Sequence, residues 1–355
     1  MPACAVVVVN WDGARHLPGC LSGLAAQTYR DFAVWVVDNG STDPSCAILA
    51  RAAAGHWPVQ PTPYGPPAPV PLPALHLLRN AGNQGFAAGN NRAFRAALAD
   101  PTVQYCVPLN NDTVAHPEWL RTLVATAAAD SRIGSVASTL LFANHPARVA
   151  SAGITAHRDG LALDRGVGWA VTTLPATPQP VFGASAGAAL YRRALLDDVG
   201  LFDAAFHSYL EDADLAWRAR LRGWRAVWAP GAQVLHTVSA TGGQGSPFKS
   251  YHLARNRIWC LAKNLPDALL WRDGPYILRY DLLALLYGLA GRDRAVIRGR
   301  LAALQDLPRV RRQRATIQAR RTVPPAQIAR WLAPALGPRG ALAARRAVDT
   351  WLSTH

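Results

Sequence analysis

Ala5–Val9 reads AVVVV and runs directly into Asn10-Trp11-Asp12-Gly13. A β-branched run with no polar break fits a parallel strand covered on both faces, and the polar tetrapeptide after it is a turn. Outward from this strand the pattern repeats. Ala14–Gln27 reads as a helix, and Ala33–Val37 (AVWVV) as a second buried strand that ends at Asp38-Asn39-Gly40-Ser41-Thr42-Asp43. Cys46–Ala54 is helical. Leu75–Leu78 is a short strand followed by Arg79-Asn80-Ala81-Gly82-Asn83-Gln84-Gly85-Phe86, and Ala87–Leu98 is a helix. Gln104–Leu109 is the next strand and opens into Asn110-Asn111-Asp112. Three rounds of strand and helix predict a doubly wound α/β sheet. The proline-rich Gly55–Pro73 interrupts them as an exposed insertion.

The second half is less regular. Arg132–Gly183 reads as short strands and loops, Ser185–Leu190 as a strand, and Arg192–Val199 as a helix closed by Gly200. Arg225–Ala229 and Gln233–His236 read as separate strand pieces. Beyond about Ala262 the pattern turns helical and arginine-rich.

The chemistry concentrates in Tyr209–Leu215 (YLEDADL), ahead of the helical stretch Ala216–Trp224. Glu211, Asp212 and Asp214 repel one another, so a metal, a cation or a proton-transfer task must compensate. The bland reading is a solvated helix N-terminus, where acids meet the helix dipole favourably. Ligands in open α/β sheets bind beyond the carboxyl ends of the strands. The loops at Asp38–Asp43, Arg79–Phe86 and Asn110–Asp112 all start there, although each alone is also ordinary turn chemistry. Asp38 suits a base N–H or a ribose hydroxyl, and Arg79 and Asn83 suit a base or phosphate. One carboxylate, Asp112, with diphosphate oxygens and water suits Mg²⁺ or Mn²⁺. His236 ends a strand-like segment and adds a nitrogen, although a lone histidine is commonly structural. No G-x-G-x-x-G or P-loop occurs, which argues against dinucleotide oxidoreduction and ATPase chemistry.

Composition sets outer bounds. Of 355 residues, 50% are hydrophobic and 17% charged, with a net charge of +15. Asn264–His355 holds 16 arginines and 6 aspartates, with no lysine or glutamate. This basic tail points to an anionic surface: a membrane headgroup layer, nucleic acid or a phosphorylated ligand. The bland reading of the tail is a solvated helical appendage; Tyr276, Tyr280, Tyr287 and Trp331 beside arginines favour peripheral contact with an anionic membrane, whereas a nucleic-acid partner lacks any known module. Cys4, Cys20, Cys46, Cys106 and Cys260 are scattered and odd in number, as expected of reduced core thiols in a cytoplasmic protein. No signal peptide is expected at the N-terminus. The nearest approach to a membrane span, Pro275–Ala290, is broken by Arg279 and Asp281.

In order along the chain, VVVVNWDG, VVDNGSTD, RNAGNQGFAAGNN, LNNDT, GASAGAALYRR, VGLFDAAFHSYLEDADLAWRARLRGW and Arg255-Asn256-Arg257 occur. Over about Ala5–Lys263 this series resembles inverting family-2 glycosyltransferases, in particular the rhamnosyltransferase-like branch of bacterial cell-surface polysaccharide synthesis. The resemblance implies a GT-A fold: a Rossmann-like, mostly parallel mixed sheet flanked by helices over residues 1–263, with a basic helical appendage over 264–355. It implies a nucleotide-diphosphate sugar donor, with L-rhamnose from dTDP-rhamnose as the first expectation and a UDP-hexose as the alternative. The acceptor would be a hydroxyl of a cell-surface glycan or a lipid-linked glycan, reached at the inner face of the membrane. By the same resemblance, Asn10, Asp38, Asn39, Arg79, Asn80, Asn83, Gly85, Asn110 and Asn111 border the donor. Asp112 and His236 would hold Mn²⁺ or Mg²⁺. Asp212, with Glu211 beside it, matches the catalytic base; Glu211 and Asp214 are read as acceptor-binding or structural groups, and Trp217 as acceptor-binding. Asn110 stands where a DxD motif has its first aspartate. The rival of another class is a non-catalytic glycan- or nucleic-acid-binding protein, against which the intact Asp112 and Asp212 argue.

Overall fold

The computed structural model describes residues 3–57, 60–66, 73–238, 246–291 and 293–352. The first half follows the alternation. β1 (Cys4–Asn10), α1 (Leu17–Ala25), β2 (Phe32–Asp38), α2 (Ser45–Ala53), β3 (Leu75–Arg79), α3 (Gly85–Leu98) and β4 (Tyr105–Asn110) come in turn. Helix α1 starts three residues later than expected. His16 is its N-cap and Pro18 sits in its first turn, where a missing N–H costs nothing. The expected insertion at Gly55–Pro73 lies partly outside the described residues, and its described part forms only an isolated bridge between Thr62 and Gly65.

β5 (Thr113–Ala115), α4 (Trp119–Ala128), β6 (Ile133–Phe142), β7 (His145–Ser151), β8 (Ile154–His157), β9 (Ala162–Asp164), β10 (Gln179–Val181), β11 (Ala189–Arg192) and α5 (Arg193–Val199) follow. The region expected to be short strands therefore contains a ten-residue strand, β6, buried along its whole length. Its serines and threonines hid it. Ser138 and Thr139 are buried because tryptophan indoles donate to them, from Trp119 at 2.8 Å and Trp228 at 2.9 Å. After α6 (Glu211–Leu221), the two expected strand pieces are one strand, β12 (Arg225–His236), whose register shifts between Trp228 and Gln233 around Pro230-Gly231. The chain ends with α7 (Pro247–Asn264), α8 (Asp267–Ala290), α9 (Arg294–Gln305), α10 (Leu307–Ala319), α11 (Pro325–Ala329), β13 (Leu332–Ala333) and α12 (Gly337–Leu352).

Among the described residues, ten strands form one mixed sheet whose main path runs β10-β12-β6-β11-β4-β1-β2-β3. β4, β1, β2 and β3 are parallel. β11 enters antiparallel to both β4 and β6. Alternate residues of β1 feed two cores: Ala5 and Val7 join one with α3, while Cys4, Val6 and Val8 join the other with α1 and α4. This is why β1 reads as an unbroken apolar run. Each buried valine side chain contributes about 1.5–3 kcal/mol. A third core joins Phe206, Ala213 and Trp217 to Trp259, Ala303, Val310 and Ile328, so the C-terminal helices share packing with α6. Cys4, Cys20, Cys106 and Cys260 are buried, Cys46 is half-buried, and all five are free thiols.

Candidate active site

The register of the parallel strands gathers the polar loops. Asn10 pairs with Asp38, Asp38 with Arg79, and Val9 with Asn110, so four strand ends form one edge. Behind that edge the side chains interlock. Asn10 Nδ2 donates to Asp38 Oδ1 at 3.3 Å and to Ser41 Oγ at 3.1 Å, and Asn111 Nδ2 donates to Asn10 Oδ1 at 2.8 Å. Asn39 Nδ2 donates to Asn83 Oδ1 at 3.0 Å, and Asn80 Nδ2 to Asn39 Oδ1 at 2.7 Å. Asn10, Asp38, Asn39 and Asn111 are buried, whereas Arg79 and Asn83 are exposed and Asn80 and Asn110 half-buried. The buried members build the floor, and the exposed ones have surface to offer a ligand. Gly40 is left-handed at φ 78°, and a Cβ there would lie 2.6 Å from Gly82 Cα. The same two loops, already joined by asparagines, therefore also meet backbone to backbone at a point that only glycine allows.

A second cluster forms where β5 pairs with the end of β12. Thr113 lies opposite His236, which sets Asp112 Oδ1 3.2 Å from His236 Nε2. Asn110 Nδ2 is 3.3 Å from the same nitrogen. Burial alone would lower the His236 pKa, but the Asp112 carboxylate outweighs it and holds His236 above its ordinary value. Burial would likewise raise Asp112, and His236 reverses that shift. No group of three or more His, Cys, Asp or Glu side chains suited to a metal occurs among the described residues. One carboxylate oxygen and one imidazole nitrogen converging at a strand end nevertheless fit two positions of a Mn²⁺ or Mg²⁺ ion, with the rest supplied by ligand and water.

The acidic run opens α6 and its three carboxylates have different surroundings. Glu211 is buried with Oε2 unpartnered, and burial followed by the Asp212 charge pushes its carboxyl well above the usual range. Asp212 is half-buried, whereas the other two are buried. Its Oδ2 accepts from the Ala186 N–H at 3.0 Å and its Oδ1 from the Ala213 N–H at 2.7 Å. Burial pushes it up to about 6 against those two bonds. Asp214 is 0% exposed, with Arg218 Nε at 2.9 Å, Lys263 Nζ at 3.0 Å and Asn264 Nδ2 at 2.7 Å. Trp217 is 3% exposed and packs edge-on against Phe182. Neither Asp214 nor Trp217 therefore has surface to give an acceptor. They tie α6 to α7 and to the core.

The backbone entering α6 is strained. His207, Tyr209 and Leu210 all have positive φ, at 64°, 71° and 66°. Asn256 holds this turn, donating from Nδ2 to the carbonyls of Phe206 at 2.9 Å, Ser208 at 2.9 Å and Tyr209 at 2.8 Å. The turn also meets the donor loop, since a Cβ on Gly85 (φ 83°) would lie 2.6 Å from the His207 ring.

Two further candidates escaped sequence reasoning. Asn256 lies in the quoted Arg255-Asn256-Arg257, but nothing in that tripeptide says that it reaches back about fifty residues. Asp164, an exposed residue at the end of β9, is close enough for its charge to act on both Asp212 and His236. The surrounding protein raises its carboxyl above the ordinary range, against Ser151, His236 and Lys249. It stands in no motif, and only the β8–β9 hairpin brings it here.

The mixed sheet with parallel β4-β1-β2-β3 has the GT-A fold, with a polar strand-end edge and a carboxylate helix start beside it. The chain belongs to Glycosyl transferase family 2, which it matches over residues 5–200. It is 26% identical over 258 residues to the N-acetylglucosaminyl-diphospho-decaprenol L-rhamnosyltransferase of Mycobacterium tuberculosis, covering 67% of this chain and 77% of that one. Among solved structures it is similar to GalNAc-T7 with UDP, GalNAc and Mn²⁺ at a TM-score of 0.60 and 14% identity, over 89% of this chain and 54% of that one. It is also similar to the mannosyltransferase PcManGT from Pyrobaculum calidifontis with GDP-Man and Mn²⁺, at a TM-score of 0.51 and 21% identity, over 99% and 83%.

Proposed function

We propose that this glycosyltransferase inverts configuration while moving a sugar from a nucleotide diphosphate to a hydroxyl of a lipid-linked or cell-surface glycan. The observation that carries the reading is Asp212. It is the one carboxylate of the acidic run that is only half-buried, and its pKa, raised to about 6, leaves it ionised yet basic at neutral pH. Its carboxylate accepts the acceptor's hydroxyl proton as that oxygen bonds to the anomeric carbon. The bond from that carbon to the diphosphate oxygen breaks, and its electron pair leaves with the nucleotide. Burial and the Asp212 charge push the Glu211 carboxyl up, which disfavours its charged form beside the base. Asp164, whose charge acts on Asp212, would orient the acceptor hydroxyl, since Asp214 and Trp217 lie in the core.

Asn10, Asp38, Asn39 and Asn111 shape the floor under the nucleotide, while Arg79, Asn80, Asn83, Gly85 and Asn110 border it. Asp112 and His236 would hold Mn²⁺ or Mg²⁺, which supplies positive charge against the departing diphosphate. The rhamnosyltransferase relative supports L-rhamnose from dTDP-rhamnose and a lipid-linked acceptor. A UDP-hexose donor is the second reading, favoured by the UDP-bound structure of the same fold.

The test is a panel of dTDP-rhamnose, UDP-hexoses and GDP-mannose assayed for hydrolysis and transfer with the intact chain and with Asp212→Asn. We expect turnover of one donor to fall by roughly 10²- to 10⁴-fold in the variant while donor binding survives. Glu211→Gln should be milder. Near-normal turnover in Asp212→Asn, or the reverse ranking, would remove Asp212 from the base position.

A further inference from the structure

Helix α8 presents to solvent what a folded helix ordinarily hides. Trp271 is 86% exposed and Tyr287 67%, and Leu278, Leu282, Leu286 and Leu289 are exposed as well. Positions 271, 278, 282, 286 and 289 recur at helical spacing and make one stripe. On α9, Arg294, Arg298 and Leu301 form an outward stripe of their own, with Leu304 exposed near its end. Between the two helices and α7 lies an open groove lined chiefly by Ile258, Leu282, Leu285, Ile297, Leu301 and Leu304. Scattered exposed leucines are normal, but a contiguous apolar face of this extent marks a docking surface.

Charge selects the partner. The acids of α8–α10 are already occupied: Asp267 by Arg314, Asp273 by Arg158 and Arg272, Asp281 by Arg257 and Arg300, and Asp306 by Arg309. Asp293 caps α9 through the N–H groups of Ala295 and Val296. Arg279, Arg294, Arg298, Arg311 and Arg312 are exposed and pair with no carboxylate among the described residues. A second copy of this face would bring arginine against arginine. Among the described residues no helix is long and apolar enough to cross a membrane.

We infer that the α8–α9 face docks on an anionic lipid bilayer. Trp271, Leu278, Leu282 and Leu286 enter the interface, and Arg279, Arg294 and Arg298 meet the headgroup phosphates. This deepens the lipid-linked acceptor reading, but it is read without donor or acceptor, so the two fail separately.

The experiment is flotation of the full chain with vesicles of phosphatidylcholine alone or containing phosphatidylglycerol, at low and high salt. Binding should require phosphatidylglycerol and weaken with salt. The double variant Arg294→Ala/Arg298→Ala should bind about thirtyfold more weakly. Leu278→Asp/Leu282→Asp should abolish binding, while donor turnover and thermal melting of each variant stay as in the parent. Equal binding to neutral vesicles, no binding at low salt, or full binding by the aspartate variant overturns the proposal. So does a dimer in sedimentation that the aspartates dissociate, or tight RNA binding by a chain that ignores vesicles. Failure here with intact donor turnover leaves the transferase reading standing.

Discussion

The Asn256 side-chain amide lies 2.8 Å from the Tyr209 carbonyl, which joins the middle of α7 to the turn that aims Asp212. Two more carbonyls of that turn, of Phe206 and Ser208, share the same nitrogen. Non-glycine residues at positive φ cost of order 1–3 kcal/mol each and persist only where their surroundings over-determine them. Asn256 is that surrounding, wholly buried and sequence-remote.

Asn256→Ala should therefore relax the turn and displace Asp212. We expect kcat to fall roughly ten- to a hundredfold, as for a catalytic group moved by a fraction of an ångström to an ångström. The acid limb of the pH profile should shift with it, and Asn256→Gln should restore part of both. A lower melting temperature with unchanged kcat and pH profile would make Asn256 structural only.

The pH dependence follows from Asp212. Its carboxyl is raised to about 6, chiefly by burial, and the base must be ionised to accept a proton. kcat/KM should thus rise with pH through an inflection near 6 and level off above it. The stability contribution of the same group runs the other way. It is full below the ordinary carboxylate range and is lost as pH rises through about 6, because the folded site favours the neutral form. A pH–rate profile whose acid limb lies near 4, or is absent, would contradict the assignment.

Asp112 and His236 share one contact and should fail together. Asp112→Ala should weaken donor binding and dependence on added Mn²⁺ or Mg²⁺ in parallel, measured by calorimetry of nucleotide diphosphate with and without the ion. Chelator should stop transfer by the parent chain. Full transfer in chelator would assign the diphosphate charge to Arg79 and its neighbours instead.

Lys263 is a stability prediction. Its Nζ lies 2.7 Å from Asp203 and 3.0 Å from Asp214, with its side chain 2% exposed. Lys263→Met leaves buried Asp214 and half-buried Asp203 without their shared cation, which should cost about 3–5 kcal/mol. Urea unfolding would measure it, and a loss under about 1 kcal/mol would show that Arg309 and Arg218 suffice. The same pairing means that a truncation near Asn264 removes Asn264's bond to Asp214 and the Ala303 and Val310 packing. Point substitutions are the cleaner probe of the tail.

Sequence alone determined the parallel half of this protein. β1, β2 and β4 are apolar runs because both faces are covered, and polar residues begin where the strands leave the sheet. Periodicity and the turn residues therefore revealed Asp38, Arg79 and Asn110 at strand ends, and the spacing of Glu211, Asp212 and Asp214 marked a candidate site. Tertiary structure decided what those residues can do. Three acids within four positions look alike in sequence, yet one is half-buried, one is buried with its carboxyl pushed up, and one is locked between Arg218, Lys263 and Asn264. β6 was obscured because its buried hydroxyls are satisfied by indoles from elsewhere, a long-range fact that no local pattern carries. Asp164 and Asn256 reach the site only through a hairpin and a helix whose positions depend on the folded core. Local propensity writes elements into sequence, but burial and partnership, which set charge state and access, exist only once distant segments meet.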